Sequence, residues 1–149
     1  MCVSAAAMPD KLETTEGKRQ VRVVVAEDDL ELRRLLAGRL RRAGYDVVEI
    51  ADGERLVDYL VVEGGMSEVD LLLSDIRMPG LSGMDMLAYL RTRQDSPRVV
   101  LMTAFGDWEV HDEARRLGAV EVFDKPLDLD ELLAFVRRAL PPNARGQIR

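Results

Sequence analysis

Asp70-Leu71-Leu72-Leu73-Ser74-Asp75-Ile76-Arg77-Met78-Pro79-Gly80-Leu81-Ser82-Gly83 is a short apolar run that leads into an acid and breaks at Pro79-Gly80. Residues 70–74 show no polar alternation, as expected for a strand buried on both faces. Upstream, Val21-Arg22-Val23-Val24-Val25-Ala26 is β-branched and reads the same way. Residues 45–50, 98–102 and 119–123 supply three more strands, the fourth introduced by the turn signal Ser96-Pro97. Between and after them the period changes to that of helices. Residues 28–43 place Leu32, Leu35, Leu36, Leu40 and Ala43 on one face, with Gly44 as a stop. Residues 52–63, 84–93, 106–117 and 128–140 are the other helices, and Asp128 with Glu131 opens the last like a capping box.

Five strand–helix pairs imply an α/β fold: a doubly wound, five-stranded parallel sheet with five helices on both faces and right-handed crossovers. The expected strand order is 2-1-3-4-5, and such sheets bind ligands at the carboxyl ends of their strands.

Those ends carry the polar chemistry. Glu27, Asp28 and Asp29 follow strand one, Asp75 follows strand three, Thr103 and Ala104 follow strand four, and Lys125 precedes Pro126 after strand five. Strands one and three are neighbours in this order, roughly 4.8 Å apart. Asp75 is therefore expected to face Glu27 and Asp28 across one strand spacing. Carboxylates that close repel unless a cation joins them, and a hard, oxygen-seeking ion such as Mg²⁺ suits that donor set. Lys125 would bring a mobile ammonium to the same rim. Singly, each has a plainer reading: Asp29 as a helix cap, Asp75 as a turn residue, Lys125 as a surface loop residue. Their coincidence at successive strand ends favours a site.

Composition bounds the alternatives. The 149 residues hold 21 Lys+Arg and 27 Asp+Glu, for a net charge of −6. That length is expected to make one domain over residues 21–140, between a disordered tail at 1–20 and a flexible tail at 141–149. The acidic balance argues against direct nucleic-acid binding. The single cysteine, Cys2, and single histidine, His111, exclude a disulfide framework and a structural zinc site within the chain. No apolar run reaches the roughly 18 residues of a membrane span, and the start lacks the features of a secretory signal. The cytoplasm is the expected compartment. Neither a P-loop nor a G-x-S-x-G elbow occurs.

The rim residues, in order, resemble the receiver domain of two-component response regulators. The motifs are Val23-Val24-Val25-Ala26-Glu27-Asp28-Asp29, Leu73-Ser74-Asp75-Ile76-Arg77-Met78-Pro79-Gly80-Leu81-Ser82-Gly83, Leu101-Met102-Thr103-Ala104-Phe105-Gly106 and Phe123-Asp124-Lys125-Pro126. The resemblance implies a flavodoxin-like receiver fold and Asp75 as phosphoacceptor, loaded by a histidine kinase or histidine phosphotransfer protein. It implies Mg²⁺ held by Asp28, Asp75 and the backbone carbonyl of Arg77, with Glu27 acting through water. Thr103 and the Ala104 N–H would bind phosphoryl oxygens and Lys125 would pair with them. Arg77 and Phe105 would tune dephosphorylation, and a bulky Phe105 is expected to slow it. The chain would promote only its own phosphotransfer and dephosphorylation, without a separate turnover substrate. It would act as a single-domain regulator or relay carrier that changes its affinity for a downstream protein of unknown identity.

Two departures from the family pattern matter. Glu27 stands where the family usually has Asp. Val122 stands where it usually has an aromatic switch residue, and Phe123, one residue later, should point to the opposite face. Two rival readings follow from other classes. A small Mg²⁺-dependent phosphatase would want a second aspartate where Arg77 stands. A pseudo-receiver would use the fold as a constitutive docking module. Arg33, Arg34, Arg39, Arg41 and Arg42 on the first helix read as a solvated, charge-paired face; the resemblance offers docking to a kinase or phosphotransfer helix bundle as the other reading. Trp108 is expected to be partly packed, though an exposed tryptophan there would suit partner recognition, and His111 to be an ordinary surface or boundary residue.

Overall fold

The computed structural model describes residues 20–104 and 106–143. The expected tail at 1–20 (apart from Gln20), the end of the tail expected at 141–149, and Phe105 lie outside the described residues.

The chain alternates strand and helix as its periodicity predicts. The elements are β1 (Arg22–Ala26), α1 (Leu30–Arg42), β2 (Asp46–Ile50), α2 (Gly53–Val57), β3 (Leu71–Asp75), α3 (Gly83–Leu90), β4 (Arg98–Thr103), α4 (Trp108–Arg116), β5 (Glu121–Asp124) and α5 (Leu129–Ala139). The five strands form one parallel sheet in the order β2-β1-β3-β4-β5. This is the expected 2-1-3-4-5 order of the flavodoxin-like receiver fold.

Alternation along the strands divides the core between two faces. Val23, Val25, Leu73 and Met102 pack with Leu36, Leu40, Leu132 and Val136, which puts α1 and α5 on one side. Val24, Leu72, Leu101 and Val122 pack with Leu56, Leu87, Leu90 and Ala114, which puts α2, α3 and α4 on the other. β3 is buried along its whole length, and each fully buried leucine there contributes roughly 1.5–3 kcal/mol. Each of the five helices opens on a side-chain cap, from Asp29, Asp52, Ser82, Asp107 and Asp128 in turn. A cap of this kind contributes about 1 kcal/mol.

The structure corrects several local expectations. The helix expected over 52–63 is α-helical only to Val57 and then widens into a π-turn over Asp58–Val62, closed by the Glu63 N–H donating to the Asp58 carbonyl at 2.8 Å. The widened turn keeps Leu60 in the core and leaves Val62 74% exposed. Leu35 does not share the buried face of α1; Leu36, Ala37 and Leu40 do, and Leu35 projects to solvent. Trp108 is not packed but 74% exposed, because it starts α4 on the side away from the sheet.

After β3 the chain doubles back through a two-residue ladder, Arg77–Met78 against Leu81–Ser82. Gly83 then touches the backbone that bears Asp75: a Cβ there would lie 2.8 Å from the Asp75 carbonyl and 2.9 Å from Ile76 Cα. Only glycine allows α3 to begin this close to the site. Beyond α5, the Pro142 carbonyl accepts the Val21 N–H at 3.0 Å.

Candidate functional site: an acidic rim with one lysine

Three adjacent strands and β5 bring the site together. β1 ends at Ala26, and the next amide, Glu27 N–H, donates to Ile50 O of β2 at 3.0 Å. That bond carries sheet pairing one residue past β1 and holds Glu27 at the rim. Glu27 is 1% exposed, whereas Asp28 is exposed. Asp29 takes the plainer role weighed for it: its carboxylate caps α1 through the Glu31 and Leu32 N–H groups. Asp75 closes β3, opposite Met102 of β4, and is 8% exposed.

One carboxylate oxygen from each of Glu27, Asp28 and Asp75 lies within 4.8 Å of the others. The Lys125 ammonium crosses from the end of β5 to this cluster. Its Nζ donates to Glu27 Oε1 at 2.8 Å and to Asp75 Oδ2 at 2.5 Å. The other Asp75 oxygen accepts the Arg77 N–H at 2.8 Å. The Lys125 N–H donates to the Thr103 carbonyl at 2.7 Å, joining the lysine to the end of β4. Thr103 is 3% exposed and Ala104 beside it is exposed. Glu27, Asp28, Asp75 and Lys125 are thus in direct proximity. Thr103 stands one residue past the Asp75 register partner on the neighbouring strand.

The electrostatics follow from burial and from the Lys125 ammonium set among the acids. Burial pushes the Glu27 carboxyl above its ordinary range; the Lys125 hydrogen bond and the Asp29 N–H oppose this, and the Asp75 charge adds to it. Burial works against the charge on Lys125, yet its hydrogen bonds to Asp75 and Glu27 outweigh that and hold the ammonium above the ordinary lysine range. Lys125 therefore stays charged between Asp75 and Glu27.

Sequence reasoning missed the props behind these groups. Arg33 is not simply a solvated charge: its Nη1 donates to the Glu27 carbonyl at 2.9 Å, and its Nε lies 3.4 Å from Glu49 Oε1. The Ser74 hydroxyl donates to the Asp75 carbonyl at 2.9 Å. Neither contact has a periodic signature. The other first-helix arginines partly follow expectation, with Arg39 paired to Asp130 and Arg41 to Glu49. His111 is the boundary residue its sequence position suggests, and its Nε2 also lies 2.9 Å from Asp124 Oδ1, next to Lys125.

Comparison with known proteins gives a consistent answer. A family model described as the response regulator receiver domain matches residues 23–137. The chain is 31% identical over 120 residues to sporulation initiation phosphotransferase F of Bacillus subtilis, covering 80% of this chain and 94% of that protein. It is 35% identical over 118 residues to the DNA-binding transcriptional regulator NtrC of Escherichia coli, covering 79% of this chain but 24% of that protein. The solved structure of chemotaxis response regulator CheY4 of Vibrio cholerae superposes with a TM-score of 0.71 at 23% identity, over 82% of this chain and 100% of that one. The matched span runs from β1 into α5 and takes in every strand end that contributes to the acidic rim, so the chain belongs to the response regulator receiver domains of two-component signalling.

Proposed function

We propose that this receiver takes a phosphoryl group on Asp75 from a histidine kinase or histidine phosphotransfer protein and thereby changes its affinity for a protein partner. The observation that carries the reading is the Lys125 ammonium, bonded to both Asp75 and Glu27 across a cluster of three carboxylates. The similarity to a phosphotransferase over most of that protein's length supports a role as phosphoryl carrier.

An Asp75 carboxylate oxygen attacks the phosphorus of a phosphohistidine. The new O–P bond forms as the N–P bond breaks, and the leaving imidazole nitrogen keeps the electron pair and takes up a proton from solvent. Such transfers ask the protein for position and charge neutralisation. Arg77 N–H fixes one Asp75 oxygen. Lys125, on a flexible stem, exchanges its Asp75 contact for a phosphoryl oxygen. The Thr103 hydroxyl and the Ala104 N–H take the other oxygens.

The donor set fits Mg²⁺: hard oxygens within 4.8 Å of one another, one of them exposed, suit an ion that keeps several waters. Asp28, Asp75 and the Arg77 backbone carbonyl would hold the ion directly, and Glu27 would hold it through water. When bound, it supplies charge neutralisation for the transferring group. Arg77, exposed beside the acceptor, and Phe105 would tune water access, so Phe105→Glu speeds decay of the phosphorylated form; an unchanged decay rate contradicts that role.

A second reading, a constitutive docking module, draws on Val122: it is buried against the α2–α4 side and offers no aromatic ring to move. One experiment separates the two. The protein is incubated with Mg²⁺ and acetyl phosphate, and its intact mass is recorded beside Asp75→Asn. Gain of one phosphoryl group by the wild type alone supports the phosphoacceptor reading. No gain, with the fold shown intact, supports constitutive docking.

A further inference from the structure

Two polar links tie α4 to β5, one at each end of the helix. Far from the rim, Arg115 Nη2 donates to Glu121 Oε1 at 2.8 Å. Burial works against the Glu121 charge, but Arg115 and the Val122 N–H outweigh it and keep the carboxyl below its ordinary range. Close to the rim, His111 Nε2 meets Asp124 Oδ1 at 2.9 Å. A carboxylate only accepts hydrogen bonds, so the imidazole Nε2–H is the donor. Asp107, Asp112 and Arg115 flank His111 on its own helix, and Asp124 and Glu121 face it from β5.

The near link encloses Gly106. A Cβ on this residue would lie 2.4 Å from Asp124 Oδ1, 2.5 Å from Thr103 Cγ2 and 3.0 Å from His111 Nε2. Gly106 therefore rests on the Thr103 methyl, with the histidine–aspartate pair closing its other sides. Gly106 thus packs between the Thr103 methyl and the histidine–aspartate pair, so a displacement of Thr103 changes what this residue rests on. Beyond it lies an open cleft of about 390 Å³ bordered by Trp108, His111 and Asp124, which leaves room for that movement.

We propose that the His111–Asp124 pair is a positioning clasp for the switch: it seats Gly106 and the first turn of α4 over Thr103 in the unphosphorylated domain and opens when Thr103 is drawn to the phosphorylated rim. The inference rests on the phosphoacceptor reading of Asp75. Arg115–Glu121 is the pivot, and Trp108, at the start of the moving turn, is the exposed group that a partner would sense. The clasp does by a polar contact what Val122 is too small to do by side-chain rotation.

The chain holds one histidine and one tryptophan, so each ring gives a single reporter in a ¹H–¹⁵N spectrum. In the unphosphorylated wild type an imidazole proton is expected on Nε2, facing Asp124. Acetyl phosphate with Mg²⁺ should remove that preference for Nε2 and move the Trp108 indole signal. His111→Ala should bring the unphosphorylated indole signal toward the phosphorylated position, with the closed-to-open ratio falling roughly two- to five-fold, the range for a partly exposed pair. His111→Gln, which keeps a donor, should restore part of the wild-type position. A structural role alone would change melting temperature, and would not carry the indole signal along the line toward its phosphorylated position. If the intact mass shows loading while neither ring signal responds, or if His111→Ala leaves the indole where it was, the clasp is wrong and the phosphoacceptor reading stands. If the wild type takes no phosphoryl group, the phosphoacceptor reading fails and the opening step falls with it.

Discussion

At the amino end of the strands, Asp70 is 5% exposed and its carboxylate accepts the Arg22 N–H at 2.9 Å. The Arg22 guanidinium there reaches Asp46 at 2.8 Å, Glu68 at 3.0 Å and the Tyr59 hydroxyl at 3.3 Å. At the carboxyl end, Glu27, Asp28 and Asp75 crowd within 4.8 Å and share the Lys125 ammonium. Both ends combine carboxylates with a long cation. At the amino end the acids are spread around the guanidinium and the buried one has a backbone donor. At the carboxyl end they converge on one point, where Lys125 is bonded to two of the three. The first arrangement stabilises a fold. The second is held in place by the fold and is the arrangement expected of a site that receives charge.

Asp75→Asn breaks this contrast most severely. Loading should be lost completely, while the melting temperature in chelator should change little, because the substitution removes one of three repelling charges together with the Lys125 ion pair and keeps an acceptor for the Arg77 N–H. A large fall in melting temperature would place Asp75 among the structural acids. Mg²⁺ sharpens the comparison next. A hundred-fold excess over its Kd should raise wild-type stability by about 2.7 kcal/mol and do much less for Asp28→Asn. Equal stabilisation of both would remove Asp28 from the ion's ligands.

The amino end should respond in the reverse sense. Asp70→Ala leaves the Arg22 N–H without its carboxylate and should cost about 1–3 kcal/mol in denaturant unfolding, with Asp75 still loaded to the wild-type extent. A loss of loading without a loss of stability would join the two ends functionally. The smallest expected effect belongs to Tyr45, whose hydroxyl donates to the Leu140 carbonyl at 2.7 Å. Tyr45→Phe should cost on the order of 1 kcal/mol near neutral pH. Burial pushes the Tyr45 hydroxyl up to about 12. The folded state therefore keeps its proton where the unfolded chain has lost it. The Tyr45 contribution is complete below pH 10 and is lost as pH rises toward 12. Tyr45→Phe should flatten that alkaline decline; an unchanged slope would mean another group titrates there.

The legible part of this molecule was the part with a period. Strands such as 21–26 and 98–102 announced themselves by unbroken apolar runs, and the strand order followed from their alternation with helices. The opposite orientations of Val122 and Phe123 follow from the strand period of two. Val122 joins the α2–α4 side, and Phe123 meets Phe135 edge-on at 5.8 Å on the other. The proximity of Asp75 to Glu27 was also legible, because it depends on strand order alone. What escaped has no period. The π-turn at Asp58–Val62 is one hydrogen bond displaced by one residue. The exposure of Leu35 and Trp108 depends on where α1 and α4 sit against their neighbours, not on helical phase alone. The His111–Asp124 contact joins residues on different elements, and Arg33 reaches the Glu27 carbonyl only because α1 folds back beside β1.

The central claim is that Asp75, and no other acid of the rim, receives the phosphoryl group. Treating the loaded protein with borohydride reduces an aspartyl phosphate to homoserine, and peptide mass mapping then locates it. The account predicts homoserine at position 75 alone, dependent on prior loading. Homoserine at position 28, or none anywhere after a confirmed gain in mass, would contradict it.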